Sequence, residues 1–378
     1  MAETPNKREK KRFPLYVVRR MGLKKRWYWL IRAGGILLAF LMAGITCTIL
    51  APGSFGTFYS ELFVSCFDFN DITVFIDLLA KFNVLLLIAI LLTPAFKMRF
   101  WNIGAEGQIL VGCLAAAGVA KFSPPNLPNA LILIFALLAA MLASTIWAVV
   151  PAIFKAFFNT NETLFTLMMN YIAMFLGSVM ISVWIKSGSQ VFGMLSQGYF
   201  PRILNSTSTL VILIGILVYV FMYFYLEKSK WGYEVGVLGE SVRTAEYAGI
   251  NVKKVTIRTM IISGLLFGVV GFMIVCGIHR TFNTSIVGGN GFTGVLVAWL
   301  GHFNPFEIAL YAFLFAFMEQ GTTMAASGLK TAGGAIISAS QFSAICMGVF
   351  FFIIIACEFF SNYQIKIHPR TKGAKIHG

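Results

Sequence analysis

With 378 residues, 58% hydrophobic and only 12% charged, the chain has too few polar side chains to cover a soluble core. A mean hydropathy of +0.80 and apolar runs close to the roughly 20 residues that cross a bilayer identify an all-α polytopic membrane protein. The net charge of +15 does not indicate nucleic acid, because eleven, six and four of the 30 Lys/Arg lie in residues 1–32, 228–258 and 361–378, beside apolar runs, as the positive-inside rule requires.

Residues 1–31 form a basic arm, placed in the cytoplasm and able to touch anionic headgroups of the lipid bilayer. The apolar run after it lacks a small-x-small cleavage site and is expected to be an uncleaved first span. Runs at 32–51, 74–96, 105–120, 130–154, 163–185, 208–227, 258–279, 291–301, 306–326 and 342–361 predict about ten transmembrane helices in a domain covering 32–361. They lack the period-two alternation of a barrel, and only helices otherwise satisfy their own backbone in lipid. Segment 52–73 carries Glu61, Asp68 and Asp71 but no Lys or Arg, so it falls outside. Six spans from an inside start return the chain to the inside at the basic loop 228–257. Four more return it there at the basic tail 362–378. Both termini are therefore expected in the cytoplasm.

Asp77 and Lys81, four apart in the second run, are expected to pair locally near the outer interface. Then comes Phe100-Trp-Asn-Ile-Gly-Ala-Glu-Gly-Gln108, a polar stretch between two apolar runs. A carboxylate at membrane depth is expensive, and a chain retains one where it has work to do. Gly104 and Gly107 let the helix break, or another helix come close, around Glu106. Broken, polar-flanked helices are what transporters place along a substrate path. A second short, glycine-led segment, Gly288–Gly301, has a comparable character. The expected substrate path is Trp101, Asn102, Gly104, Glu106, Gln108, Asn170, Asn290, Gly291, Phe292 and Thr293, with polar side chains for hydrogen bonds and Trp101 and Phe292 as lining. Because almost no Lys or Arg lies within the runs, a neutral solute fits better than an anionic one. Glu162 sits at a helix start, where capping and a functional role are both open.

In the basic loop, Val242, Ala245 and Ala248/Gly249 recur at helical spacing within 239–250. They predict a loop helix with a stripe of small residues able to seat in a partner's groove. Arg243 has Glu240 and Glu246 three residues away on either side. Glu319, followed by Gln320, keeps a rival open, a secondary transporter carrying protons on an isolated carboxylate. No enzyme constellation competes: the sequence has no H-E-x-x-H, no G-x-S-x-G and no C-x-x-C. The six cysteines read as small apolar packing residues.

Four stretches resemble the permease subunits of bacterial ABC importers for nucleosides and simple sugars. They are Asn102–Gln108; Asn161-Glu-Thr-Leu-Phe-Thr-Leu-Met-Met-Asn-Tyr-Ile172; the Arg243–Val252 loop with its Ala-Glu-Tyr-Ala-Gly-Ile; and Gly288–Gly301. They cover about residues 80–320 in the family's order. The basic arm resembles that of the larger permease in the nucleoside branch, whose substrates are purine nucleosides such as guanosine. The sugar branch is the alternative. Glu240-Ser241 and Thr244 depart from the family's usual Leu-Asn and Ala.

The resemblance implies an importer in a bacterial cell membrane, with an ABC ATPase subunit, a second permease subunit of a different chain and an external substrate-binding lipoprotein. It implies that Gly239, Glu240, Val242, Arg243, Thr244, Ala245, Tyr247, Ala248 and Gly249 couple the permease to the ATPase. No cofactor is expected on this chain. ATP belongs to the ATPase subunit, in keeping with the absence of a G-x-x-x-x-G-K-S/T loop here.

Overall fold

Long apolar runs become helices because lipid offers the backbone no hydrogen-bonding partner, and each of the ten expected runs is helical. The computed structural model describes residues 15–20, 25–50, 55–67, 71–185, 192–204, 206–327 and 338–367. Among them, eight helices are long and apolar enough to cross a membrane. The two remaining runs differ from these. Asn290–Leu300 has only 11 residues. Pro305–Ser327 has the length, but Glu307, Glu319, Gln320 and two threonines dilute its apolar character.

The chain divides into two units. The first is built from both ends of the sequence, Met1–Tyr59 and Ala326–Gly378. It contains strand β1 (Leu15–Arg19), helix α1 (Lys25–Leu50), the start of α2 (Phe55–Val64), α13 (Ala339–Asn362) and strand β2 (Tyr363–Ile367). Helix α1 lies along α13, and β1 pairs antiparallel with β2, with Leu15 opposite Ile367 and Arg19 opposite Tyr363. Arg32 and Glu358 join the two helices in a buried ion pair at 3.1 Å. The small ribbon was not anticipated, because a five-residue strand leaves little periodicity in a basic segment.

The second unit, Ser60–Ala325, carries the rest. Its helices are α3 (Ile72–Lys97), α4 (Ala105–Phe122), α5 (Asn129–Phe158), α6 (Glu162–Trp184), α7 (Ser208–Lys228), α8 (Lys230–Glu240), α9 (Val242–Tyr247), α10 (Val252–Phe272), α11 (Asn290–Leu300) and α12 (Pro305–Ser327). Helix α10 runs directly into a π-helical turn, Met273–His279. Helices α3, α4 and α10 are mostly buried and form the middle of the unit. The outer helices show how lipid inverts the usual pattern. On α5, Ile132, Ala136, Ala140, Ser144, Ala148 and Ala152 are buried at a spacing of four, while Leu131, Phe135, Leu138, Leu142 and Ile146 are exposed. Small residues mark the packed face because backbone approach and dispersion, not exclusion from water, hold helices together in lipid. Gly268 of α10 meets α5 there: a Cβ on it would lie 2.5 Å from the Ala140 carbonyl oxygen and 2.5 Å from the Met141 Cα.

Two expectations are corrected. Segment 239–250 is not one helix. Ser241 is extended (φ −159°, ψ 125°) and separates α8 from α9. The Ser241 side chain accepts from the Thr244 amide at 3.3 Å, so the residue that departs from the family's usual Asn still caps the helix. Asp77 and Lys81 do not form an ion pair. Asp77 instead accepts from the Ser208 hydroxyl at 2.9 Å. Five of the six cysteines are buried and none is in a disulfide, as packing residues would be.

Candidate functional site

The site is built around a carboxylate that caps a neighbouring helix. Glu106 stands in the first turn of α4, and its side chain crosses to the start of α11. Oε1 accepts the Gly289 amide at 2.9 Å and Oε2 accepts the Gly291 amide at 2.7 Å. Both amides belong to the N-terminus of α11, where backbone N–H groups lack helical partners and the helix dipole is positive. Two charge-assisted hydrogen bonds offset the cost of holding a carboxylate in an apolar bundle. Gly289 has φ +80°, a conformation that glycine adopts without strain. Gly291 must lack a side chain for a second reason: its Cβ would lie 2.6 Å from the Glu106 Cα. Helix α4 and the short α11 therefore meet N-terminus to N-terminus, backbone against backbone.

Around this junction a buried amide lattice fixes the turn between α3 and α4. Asn102 Oδ1 accepts from the Gly104 amide at 3.0 Å and from Gln108 Nε2 at 3.2 Å. Asn170 of α6 accepts the Gly107 amide at 2.9 Å and donates to the Ile103 carbonyl at 2.9 Å. Thr166, one turn earlier, accepts the Ile103 amide at 3.2 Å. At Gly104 and Gly107 a Cβ would come within 3.0 Å of Thr166 and Asn170 atoms, so both glycines let α6 close on the turn.

This geometry divides the expected path residues into two groups. Asn102, Gln108 and Asn170 are buried and hydrogen-bonded within this lattice, where they position the turn. Gly104 and Gly291 are buried at helix crossings. Trp101 (46% exposed) and Phe292 (42% exposed) face outward, and Glu106, Asn290 and Thr293 are half-buried. Thr166 escaped the sequence reading, although Glu162, Thr166 and Asn170 stand at a spacing of four on an otherwise apolar helix. That polar stripe was the available signal. Glu162 completes it by pairing with Lys155 at 2.9 Å, while Asn161 serves as the cap.

The loop helices form a second set. Leu238, Ala245, Val235, Val255 and Met260 join Ala95, Met98, Phe100, Ala148 and Ala152 in one apolar cluster. Ala245 is fully buried in this chain's own interior, and a Cβ on Gly239 would overlap the Lys97 carbonyl oxygen. Ala245 therefore presents no side chain to a partner, which corrects its expected docking position, and half-buried Gly239 is pressed against the end of α3. Both let the loop seat on its own bundle. The opposite face is open: Val242, Arg243, Thr244, Tyr247, Ala248 and Gly249 are exposed, Tyr247 at 92%. A Schellman motif closes α9, with Ile250 donating to the Ala245 carbonyl at 2.9 Å and Gly249 to that of Glu246 at 3.0 Å. Arg258 of α10 holds α8 by an ion pair to Glu234 at 2.8 Å, and its guanidinium lies 4.8 Å over the Trp231 ring.

Residues 74–356 match the family model for the branched-chain amino acid transport system / permease component. The chain belongs to this permease family. It is a multi-pass membrane protein of transport, not an enzyme. Among curated relatives, the permease is 31% identical over 296 residues to the guanosine ABC transporter permease protein NupP of Bacillus subtilis, covering 74% of this chain and 82% of that one. It is 27% identical over 277 residues to the nucleoside ABC transporter permease protein NupB of Lactococcus lactis, covering 70% and 75%. The glucose ABC transporter permease protein TsgB13 of Haloferax volcanii is 25% identical over 356 residues, covering 89% and 90%.

Proposed function

We propose that this permease forms the membrane path of an ATP-driven importer for a neutral nucleoside, with purine nucleosides such as guanosine as the substrate class. The observation that carries the reading is the α8–α9 loop. It is anchored to the bundle through Ala245, Leu238 and the Arg258–Glu234 pair, yet it turns an exposed face of Val242, Arg243, Thr244, Tyr247 and Ala248 outward. Such an element passes force from a partner into the spans. The partner is an ABC ATPase subunit, and the positive charge of the loop and of both ends supports a cytoplasmic side for it. A second permease chain and an external binding lipoprotein complete the importer. Identities of 31% to NupP and 27% to NupB, against 25% to the glucose permease, favour a nucleoside over a sugar.

At the path, Asn290 and Thr293 supply hydrogen-bonding groups and Phe292 an aromatic face, while Glu106 holds the start of α11 in place. Transport then requires α4 and α11 to move as one piece, since Gly291 and Glu106 leave no slack between them. The test is radiolabelled guanosine uptake in cells with and without the gene, competed by unlabelled inosine and by glucose, with gentle purification of the complex. Uptake that depends on the gene and is competed by inosine, together with a co-purifying ATPase, is expected. Competition by glucose alone would assign a sugar permease, and proton-driven uptake by the isolated chain would make Glu319 the centre.

A further inference from the structure

The β1–β2 ribbon stands outside the transport reading and has a chemistry of its own. Strand β2 begins at Tyr363, the residue after α13 ends, so no linker separates it from a membrane-spanning helix. The Arg20 amide donates to the Asn362 carbonyl at 2.8 Å, which ties the other strand to the same helix end. The ribbon is therefore held at the boundary of the bilayer. Within it, Val17 lies opposite Ile365, and Tyr363 is two residues along on the same face. All three are open, at 53%, 48% and 39% exposure.

A two-stranded ribbon is marginal in water, and an open Val–Ile pair on it is a liability there. At a membrane surface the same face is satisfied. The surroundings have the composition of an interface. Trp27, Trp29, Phe359 and Phe360 are exposed at the adjoining helix ends, an aromatic belt such as marks headgroup depth. The exposed cations Arg20, Arg26 and Lys366 accompany them. The buried Arg32–Glu358 pair, with Asn362 donating to Glu358 at 2.9 Å, locks the helix ends that carry the ribbon.

We propose that the ribbon is a lipid-docking element, its Val17–Ile365–Tyr363 face lying in the interface, while Lys366 on its other face, Arg20 just after β1 and Arg26 at the start of α1 reach anionic phospholipid headgroups around it. Charge complementarity selects this occupant. The arm and tail adjoining the ribbon hold fourteen Lys/Arg between residues 1–31 and 361–378, and cations around an apolar face match a negatively charged leaflet.

The test uses a Val17→Cys permease on a Cys357→Ser background, labelled with an environment-sensitive dye and placed in nanodiscs of phosphatidylcholine with or without phosphatidylglycerol. Emission should shift to the blue, and spin-labelled phosphatidylglycerol should quench it more than spin-labelled phosphatidylcholine. Each cation near the surface enriches anionic headgroups by about fivefold. The triple variant Arg20→Gln, Arg26→Gln, Lys366→Gln changes only exposed side chains and should erase the preference while leaving the fold. Quenching by aqueous iodide but not by lipid would overturn the proposal, and so would equal quenching by the two lipids. Shielding that develops only after an ATPase is added would make this face a protein interface instead. None of these readouts depends on the identity of the transported solute.

Discussion

Glu106 offers the sharpest perturbation. Its two carboxylate oxygens accept the Gly289 and Gly291 amides at 2.9 and 2.7 Å. A hydrogen bond to a charged group contributes about 1.5–3 kcal/mol net, and because the carboxylate is half-buried the lower end applies. Glu106→Ala removes both bonds, about 3 kcal/mol, and should speed amide hydrogen exchange at residues 289–293 by about a hundredfold. Glu106→Gln keeps one acceptor and turns a donor toward the other amide, so the increase should be about tenfold. Exchange by mass spectrometry on the purified complex reads both, and α6 serves as the internal standard. Guanosine uptake should fall in the same order, Gln before Ala. If both variants exchange and transport as the wild type does, the carboxylate is not what holds α11, and the reasoning from burial to function fails at its first step.

Other positions test different links. Gly291→Ala drives a methyl group into the Glu106 backbone and should cost most of the uptake with little effect on the loop; normal transport would mean that the two helices are not packed as described. Ala248→Glu, at an exposed site on the outward loop face, should leave folding intact and separate ATP hydrolysis from uptake. Wild-type assembly and uptake in that variant would refute the coupling role. Arg258→Ala leaves Glu234 without its partner and frees Trp231. It should destabilise the α8–α10 contact by about 1–3 kcal/mol, seen as faster proteolysis within 230–247, whereas an unchanged cleavage rate would show that the pair is incidental.

The class of protein and the positions of its helices were legible because lipid imposes a local rule: a long apolar run has to satisfy its own backbone, whatever surrounds it. The polar interruption at Asn102–Gln108 and the glycines at 288–291 also stood out, since polarity in an apolar run is costly wherever the chain folds. Which groups that polarity bonds was decided by tertiary structure. Asn102, Gln108 and Asn170 looked like solute contacts, but α6 packs against the turn and uses their amides to satisfy buried backbone groups. The stripe of Val242, Ala245 and Ala248 looked like one docking face, but the bundle packs against Ala245 alone and leaves Val242 and Ala248 outside. In both cases the deciding quantity is which side of a helix meets a neighbour 60 or more positions away in the chain, as Asn170 meets Ile103. Spacing along the chain fixes which residues share a face. The packing partner fixes what that face is for.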